Sequence, residues 1–97
     1  MKTTLLLFTV FSTLITQAAE PLFRFGALAD CQYCKQTSAV RKYSQSTQKL
    51  TECVAHYNKL NLAFVVHLGD FIDRDFESFA KVVPIYNRLK APHYHVL

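Results

Sequence analysis

The 97-residue sequence has no Gly/Ser-rich linker, no internal repeat and no low-complexity tract, so nothing in it marks a boundary between domains. It also lacks a membrane-spanning run. The longest apolar stretch, residues 5–15, is about 11 residues even with its small hydroxyl interruptions, where about 20 are needed to cross roughly 30 Å of hydrocarbon. Charge of one sign is never concentrated. Eleven Lys and Arg against seven Asp and Glu leave a formal charge of +4, and only Arg41 and Lys42 are adjacent. That mild, scattered excess excludes a nucleic-acid binder and suits a small anionic substrate. Cysteine is scarce as well. Cys31 and Cys34 form a C-x-x-C, but no second pair or His-x-His stands at finger spacing, which excludes a zinc finger. A thioredoxin-like use would need Cys31 at a helix N-terminus, and nothing local puts it there. Cys53 falls at a helical spacing that suits a small buried apolar residue.

What is present begins with an export signal. Lys2 supplies a positive start, residues 5–15 the apolar centre, and Thr16-Gln17-Ala18-Ala19 the small residues of a cleavage site. Residues 1–19 are therefore expected to be removed, with no stable membrane anchor and a secreted or periplasmic product. The remaining residues 20–97 make a small unit. Such a unit buries a modest core and often leans on a disulfide, a metal or a partner.

Residues 22–29 are a mostly apolar run of strand length ending at Asp30. A polar stretch follows, and from residue 40 the period changes. Val40, Tyr43, Thr47, Leu50, Val54 and Tyr57 recur at steps of three and four, which predicts an amphipathic helix of about six turns, with Ser38 as its N-cap. Residues 62–68 are apolar at successive positions, the pattern of a parallel strand covered on both faces. This run closes on Gly69-Asp70. Asp75 is placed to cap a second helix carrying Phe76, Phe79, Val83, Tyr86 and Leu89, which Pro84 should kink or split. Residues 92–97 read as a third strand. The order β-α-β-α-β predicts an α/β fold with right-handed crossovers.

In such sheets ligands gather at the carboxyl ends of the strands. The first strand ends at Asp30, with Gln32 two residues on; the second ends at Asp70, with Asp73 beyond it. If the strands are neighbours, about 4.8 Å apart, their carboxylates face each other across one or two cations. Two hard or borderline ions about 3.5–4 Å apart suit an oxygen donor set in which one carboxylate bridges both. Such a pair acidifies a bound water and clamps phosphate oxygens. Gly69 fits a tight exit from the strand.

The three segments Phe25-Gly26-Ala27-Leu28-Ala29-Asp30-Cys31-Gln32-Tyr33, Phe64-Val65-Val66-His67-Leu68-Gly69-Asp70-Phe71-Ile72-Asp73 and Ala91-Pro92-His93-Tyr94-His95-Val96-Leu97 resemble the calcineurin-like metallophosphoesterases. Within them they are most similar to the branch that includes manganese-dependent ADP-ribose/CDP-alcohol diphosphatases. The resemblance implies that residues 20–97 are the N-terminal part of such a domain, an incomplete α/β sandwich. It implies two divalent ions, manganese first, with iron, zinc or magnesium as alternatives. Asp30 would bind the first ion, and Asp70 would bridge the pair. Gln32 would offer an amide oxygen where most of the superfamily has histidine, and Asp73 would stand behind the ligands. The substrate implied is a small phosphorylated or nucleoside-diphosphate-type molecule cleaved at a phosphodiester or diphosphate bond. In the family a Gly-Asn-His segment and further histidines complete the site, and none is in this sequence. No residue here is therefore expected to be catalytic, and the 97 residues alone are expected to be inactive. His56, His67, His93 and His95 read as packing or edge residues. The alternatives are a small secreted binding module or remnant without catalysis, and a redox protein using Cys31 and Cys34.

Overall fold

The computed structural model describes residues 18–96, so the expected export signal lies almost wholly outside the described residues. Three strands form one parallel sheet: β1 (Phe25–Leu28), β2 (Phe64–His67) and β3 (His93–His95), in the spatial order β1-β2-β3. Helix α1 (Ser46–Tyr57) crosses from β1 to β2, and α2 (Phe79–Tyr86) from β2 to β3. The expected β-α-β-α-β order is what forms. Among the described residues no helix is long and apolar enough to cross a membrane.

Both helices pack against each other and lie on one face of the sheet. On that face Gly26 pairs in register with Val65, and Leu28 with His67. Val65, Val82, Leu50, Val54, Tyr86 and Leu89 fill the space between, with Val65 and Val82 fully buried. Burying one such valine contributes about 1.5–3 kcal/mol. Gly26 is required by a close approach: a Cβ there would stand 2.7 Å from the Tyr57 ring. Tyr57 in turn donates from its hydroxyl to the Ala27 carbonyl at 2.9 Å, tying α1 to β1. Asn58 bridges the two helix exits, donating to the Arg88 carbonyl at 3.0 Å and accepting from the Lys90 N–H at 2.8 Å.

The opposite face corrects the expectation that β2 is covered on both sides. Along β2, Val65 and His67 are buried but Phe64 and Val66 only partly. Phe25 and Phe64 stack there at 5.1 Å between centroids, and Tyr94 and Val96 stand exposed beside them. Successive apolar residues report that both faces of a strand are apolar, and only one face has its layer among the described residues.

The helix boundaries also differ from expectation. The first helix begins as a 3₁₀ turn at Tyr43–Gln45 and becomes α only at Ser46. Ser38 does not cap it. Its hydroxyl accepts from the Arg41 N–H at 2.9 Å, closing a separate turn, and Val40 is left exposed. A hydroxyl that can bond its own turn competes with the cap role. Asp75 does act as expected, accepting from the Ser78 N–H at 3.0 Å. Pro84 does not split α2, which runs unbroken to Tyr86. The missing N–H falls in the last turn, where only two helical residues follow.

Candidate functional site

The carboxyl ends of β1 and β2 continue side by side as two loops. The Leu68 N–H donates to the Leu28 carbonyl at 2.8 Å, Asp30 to Gly69 at 3.1 Å, Gln32 to Asp70 at 3.0 Å and Tyr33 to Phe71 at 3.3 Å. This lacing extends the parallel pairing to a bridge between Tyr33 and Ile72. Each loop is pinned by the aromatic residue after its candidate ligand. Tyr33 follows Gln32, Phe71 follows Asp70, and both belong to the hydrophobic core. Asp30 and Asp70 remain exposed at the top of the sheet while Gln32 is half-buried.

All three adopt left-handed backbone, with φ of 55° at Asp30, 46° at Gln32 and 57° at Asp70; Gly69 has φ 114°. Left-handed non-glycine residues cost on the order of 1–3 kcal/mol each where strained, less for Asp, and persist when surrounding bonds over-determine them. Here the lacing and the two aromatic anchors do so. The result brings Asp30, Gln32 and Asp70 to one place, and Gln32 Nε2 donates to Asp70 Oδ2 at 2.5 Å. That bond leaves the Gln32 amide oxygen free to act as a donor atom for a cation. Two carboxylates and one amide oxygen are a hard donor set that fits part of a divalent-ion site. Among the described residues, no group of three or more His, Cys, Asp and Glu comes together to complete one. Asp73 is engaged elsewhere, its Oδ2 accepting from Arg74 Nε at 3.0 Å.

His67 acquires a role its isolated position in the sequence did not disclose. It is fully buried, and its Nδ1 accepts from the Gly69 N–H at 3.2 Å, fixing the turn that carries Asp70. Its Nε2 has no partner among the described residues. Burial holds the imidazole below its ordinary 6.5; His95 adds to the fall, and Asp30 and Asp70 oppose it. Protons are therefore taken up on unfolding. Stability is expected to be complete above about pH 6.5 and to decline as the pH falls below it toward the folded value. Urea midpoints at about pH 7.5 and about pH 5.5 measure this, and His67→Leu should flatten the difference. An equal decline in that variant would show that other groups carry it.

The remaining histidines are local. His93 bonds the Ala91 carbonyl and the Asn87 side chain, while His56 and His95 are exposed. The cysteines do not form a reactive pair. All three are free thiols; burial pushes Cys31 up to about 11, the reverse of an activated thiol. The most buried is Cys34, whose sulfur sits within bonds to Gln36, whereas Cys53, expected to be buried, is half-exposed.

Two clefts open from the site. One, of about 390 Å³, runs from Asp30 and Gln32 to Arg41, Lys42, Tyr43 and Ser46. The other, of about 380 Å³, runs from Asp70 over Phe71, Ile72, Phe76 and Phe79 and is largely apolar. Neither wall was foreseen, although the adjacency of Arg41 and Lys42 was a visible signal.

No family model matches the chain. A manganese-dependent ADP-ribose/CDP-alcohol diphosphatase from Arabidopsis thaliana is 30% identical over 93 residues, covering 82% of this chain and 30% of that protein. The protein of the same description from Oryza sativa subsp. japonica is 31% identical over 90 residues, covering 79% and 28%. Among solved structures, a dimetal phosphatase from Danio rerio matches with a TM-score of 0.66 at 25% identity, over 79% of this chain and 29% of that one. The chain spans less than a third of the length of these relatives. Sequence and fold alike relate it to the metallophosphoesterases, through a partial stretch of the dimetal phosphatase fold.

Proposed function

We propose that this chain supplies part of a two-metal site to a phosphohydrolase that cleaves phosphodiester or diphosphate bonds. The observation that carries the reading is the convergence of Asp30, Gln32 and Asp70 on laced, left-handed loops at the ends of adjacent parallel strands. Asp30 would hold one ion, Asp70 would be shared between the two, and the Gln32 amide oxygen would complete this side, with Asp73, paired to Arg74, standing behind them. Manganese leads the candidates because the relatives are named for it, with iron, zinc or magnesium able to take the same oxygens. When bound, such a pair lowers the pKa of a water and stabilises charge on a transferring phosphoryl group. The protein's own residues set the spacing of the carboxylates and hold them against the turn fixed by His67. Substrates are small nucleoside-diphosphate-type molecules, in keeping with the relatives' names. Three donors are fewer than two ions require, so residues 18–96 alone are inactive.

The test is hydrolysis of ADP-ribose and of a CDP-alcohol by the phosphohydrolase that contains this chain, with and without Mn²⁺. Activity that is lost on chelation and restored by Mn²⁺ supports the reading; metal-independent activity, or none with any of the four metals, overturns it. Export over residues 1–19 is part of the proposal. Intact mass of the secreted or periplasmic product should begin at or near Ala19, and an intracellular product retaining Met1 would refute it.

A further inference from the structure

The cleft lined by Asp30 and Gln32 is also lined by Arg41, Lys42, Tyr43 and Ser46. An adjoining cleft of about 280 Å³ shares Asp30 and Ser46 and adds Lys49. Three cationic side chains thus border a space whose only carboxylate is Asp30. Among the described residues none of the three is within 4.0 Å of a carboxylate. Arg41 instead donates to the Tyr43 hydroxyl at 2.7 Å and lies over that ring, 5.9 Å from its centroid. The segment is held in place by the Ser38 turn and by a 2.6 Å bond between Thr37 and Ser44 hydroxyls.

Cations left without carboxylate partners beside an acidic cation site have a use if the ligand carries negative charge past that site. A single phosphoryl group held by cations at Asp30 and Asp70 would not reach far into this space; a second phosphate linked to it would. Arginine and lysine supply charge-assisted bonds to such a group, and the two hydroxyls supply further donors. A volume of about 390 Å³ is in the range of small-ligand pockets. We infer that Arg41 and Lys42, with Tyr43 and Ser46, form a subsite for the second phosphate of a diphosphate and so favour diphosphates over monophosphate groups. The inference rests on the proposed function for the position of the first phosphate.

The probe is inorganic pyrophosphate, titrated calorimetrically against the Mn²⁺-loaded phosphohydrolase that contains this chain, with inorganic phosphate as comparison and each anion titrated into the Mn²⁺ buffer alone as a blank. Pyrophosphate is expected to bind more tightly than phosphate, and Arg41→Ala/Lys42→Ala to weaken it by about tenfold or more. Both side chains are exposed, so the variant should fold, and its thermal unfolding checks that. Lys59→Ala/Lys90→Ala removes the same charge at exposed positions outside the clefts and should change binding by less than about twofold. Equal weakening by both double variants would reduce the effect to net charge and overturn the subsite. So would binding of phosphate as tight as that of pyrophosphate, or an unaffected Arg41→Ala/Lys42→Ala protein. The two readings fail separately. Metal-dependent hydrolysis without pyrophosphate selectivity sinks the subsite alone, whereas pyrophosphate selectivity without hydrolysis sinks the phosphohydrolase alone.

Discussion

Asp70→Asn in the proposed phosphohydrolase that contains this chain is expected to lower Mn²⁺-dependent kcat/KM by roughly 10³-fold or more, about 4 kcal/mol of transition-state stabilisation, with the fold left in place. The backbone argument comes first. Asp70 stands at φ 57°, a conformation Asn tolerates about as well as Asp, so the lacing to Gln32 should survive. What changes is charge and donor direction. The carboxylate proposed to bridge the ions becomes a neutral amide. Gln32 Nε2, which now donates to Asp70 Oδ2, would face either an amide oxygen or a second NH₂ group. A flip of Gln32 to suit that NH₂ would turn its own oxygen away from the proposed ion site, so on that reading one substitution weakens two donors. Activity titrated against Mn²⁺, alongside thermal unfolding, separates loss of the site from loss of the fold. A variant that keeps full activity would remove Asp70 from the bridging role.

Gly26→Val should be the most damaging single change to the sheet. Gly26 is buried opposite Val65, and even one added carbon would lie 2.7 and 3.0 Å from two atoms of the Tyr57 ring and 3.0 Å from Leu62. The ring cannot swing aside freely, because its hydroxyl is bonded to the Ala27 carbonyl. Over-packing of this kind costs about 1–3 kcal/mol. In a domain this small each kcal/mol lowers Tm by about 4–8 °C. Combining Gly26→Val with Tyr57→Ala should recover part of the loss relative to the sum of the single changes, since the clash is with that ring. An unchanged Tm in Gly26→Val, or strict additivity in the double variant, would mean that α1 does not rest on β1 as described.

The strand-helix alternation and the meeting of Asp30 with Asp70 were legible because apolar runs and their polar endings are local properties. The start of α1 was not. The apolar period from Val40 onward was consistent with helix, but Ser38 had a nearer partner in Arg41, and a hydroxyl's choice between turn and cap depends on backbone geometry. The open face of β2 was misread for a different reason: Phe64 and Val66 are apolar whether or not a layer lies over them. His67 carried no signal at all. Its bond to Gly69 follows from the turn, and a lone histidine in a strand looks the same without it. Arg41 and Lys42 were visible as a pair, but only the fold brings them into one cleft with Asp30.

The left-handed backbone of the two loops bears on how such a site can drift. At positions 30 and 70, Asp, Asn and Gly are the residues the geometry admits most cheaply, so a descendant that had abandoned hydrolysis would still tend to carry one of the three. Aspartate retained there is weak testimony to a living enzyme. Glutamine at φ 46° is different: its longer side chain gains nothing from that conformation, and an idle lineage would be free to trade it for Asn or Gly. Position 32, rather than either carboxylate, is where inherited chemistry and inherited shape part company.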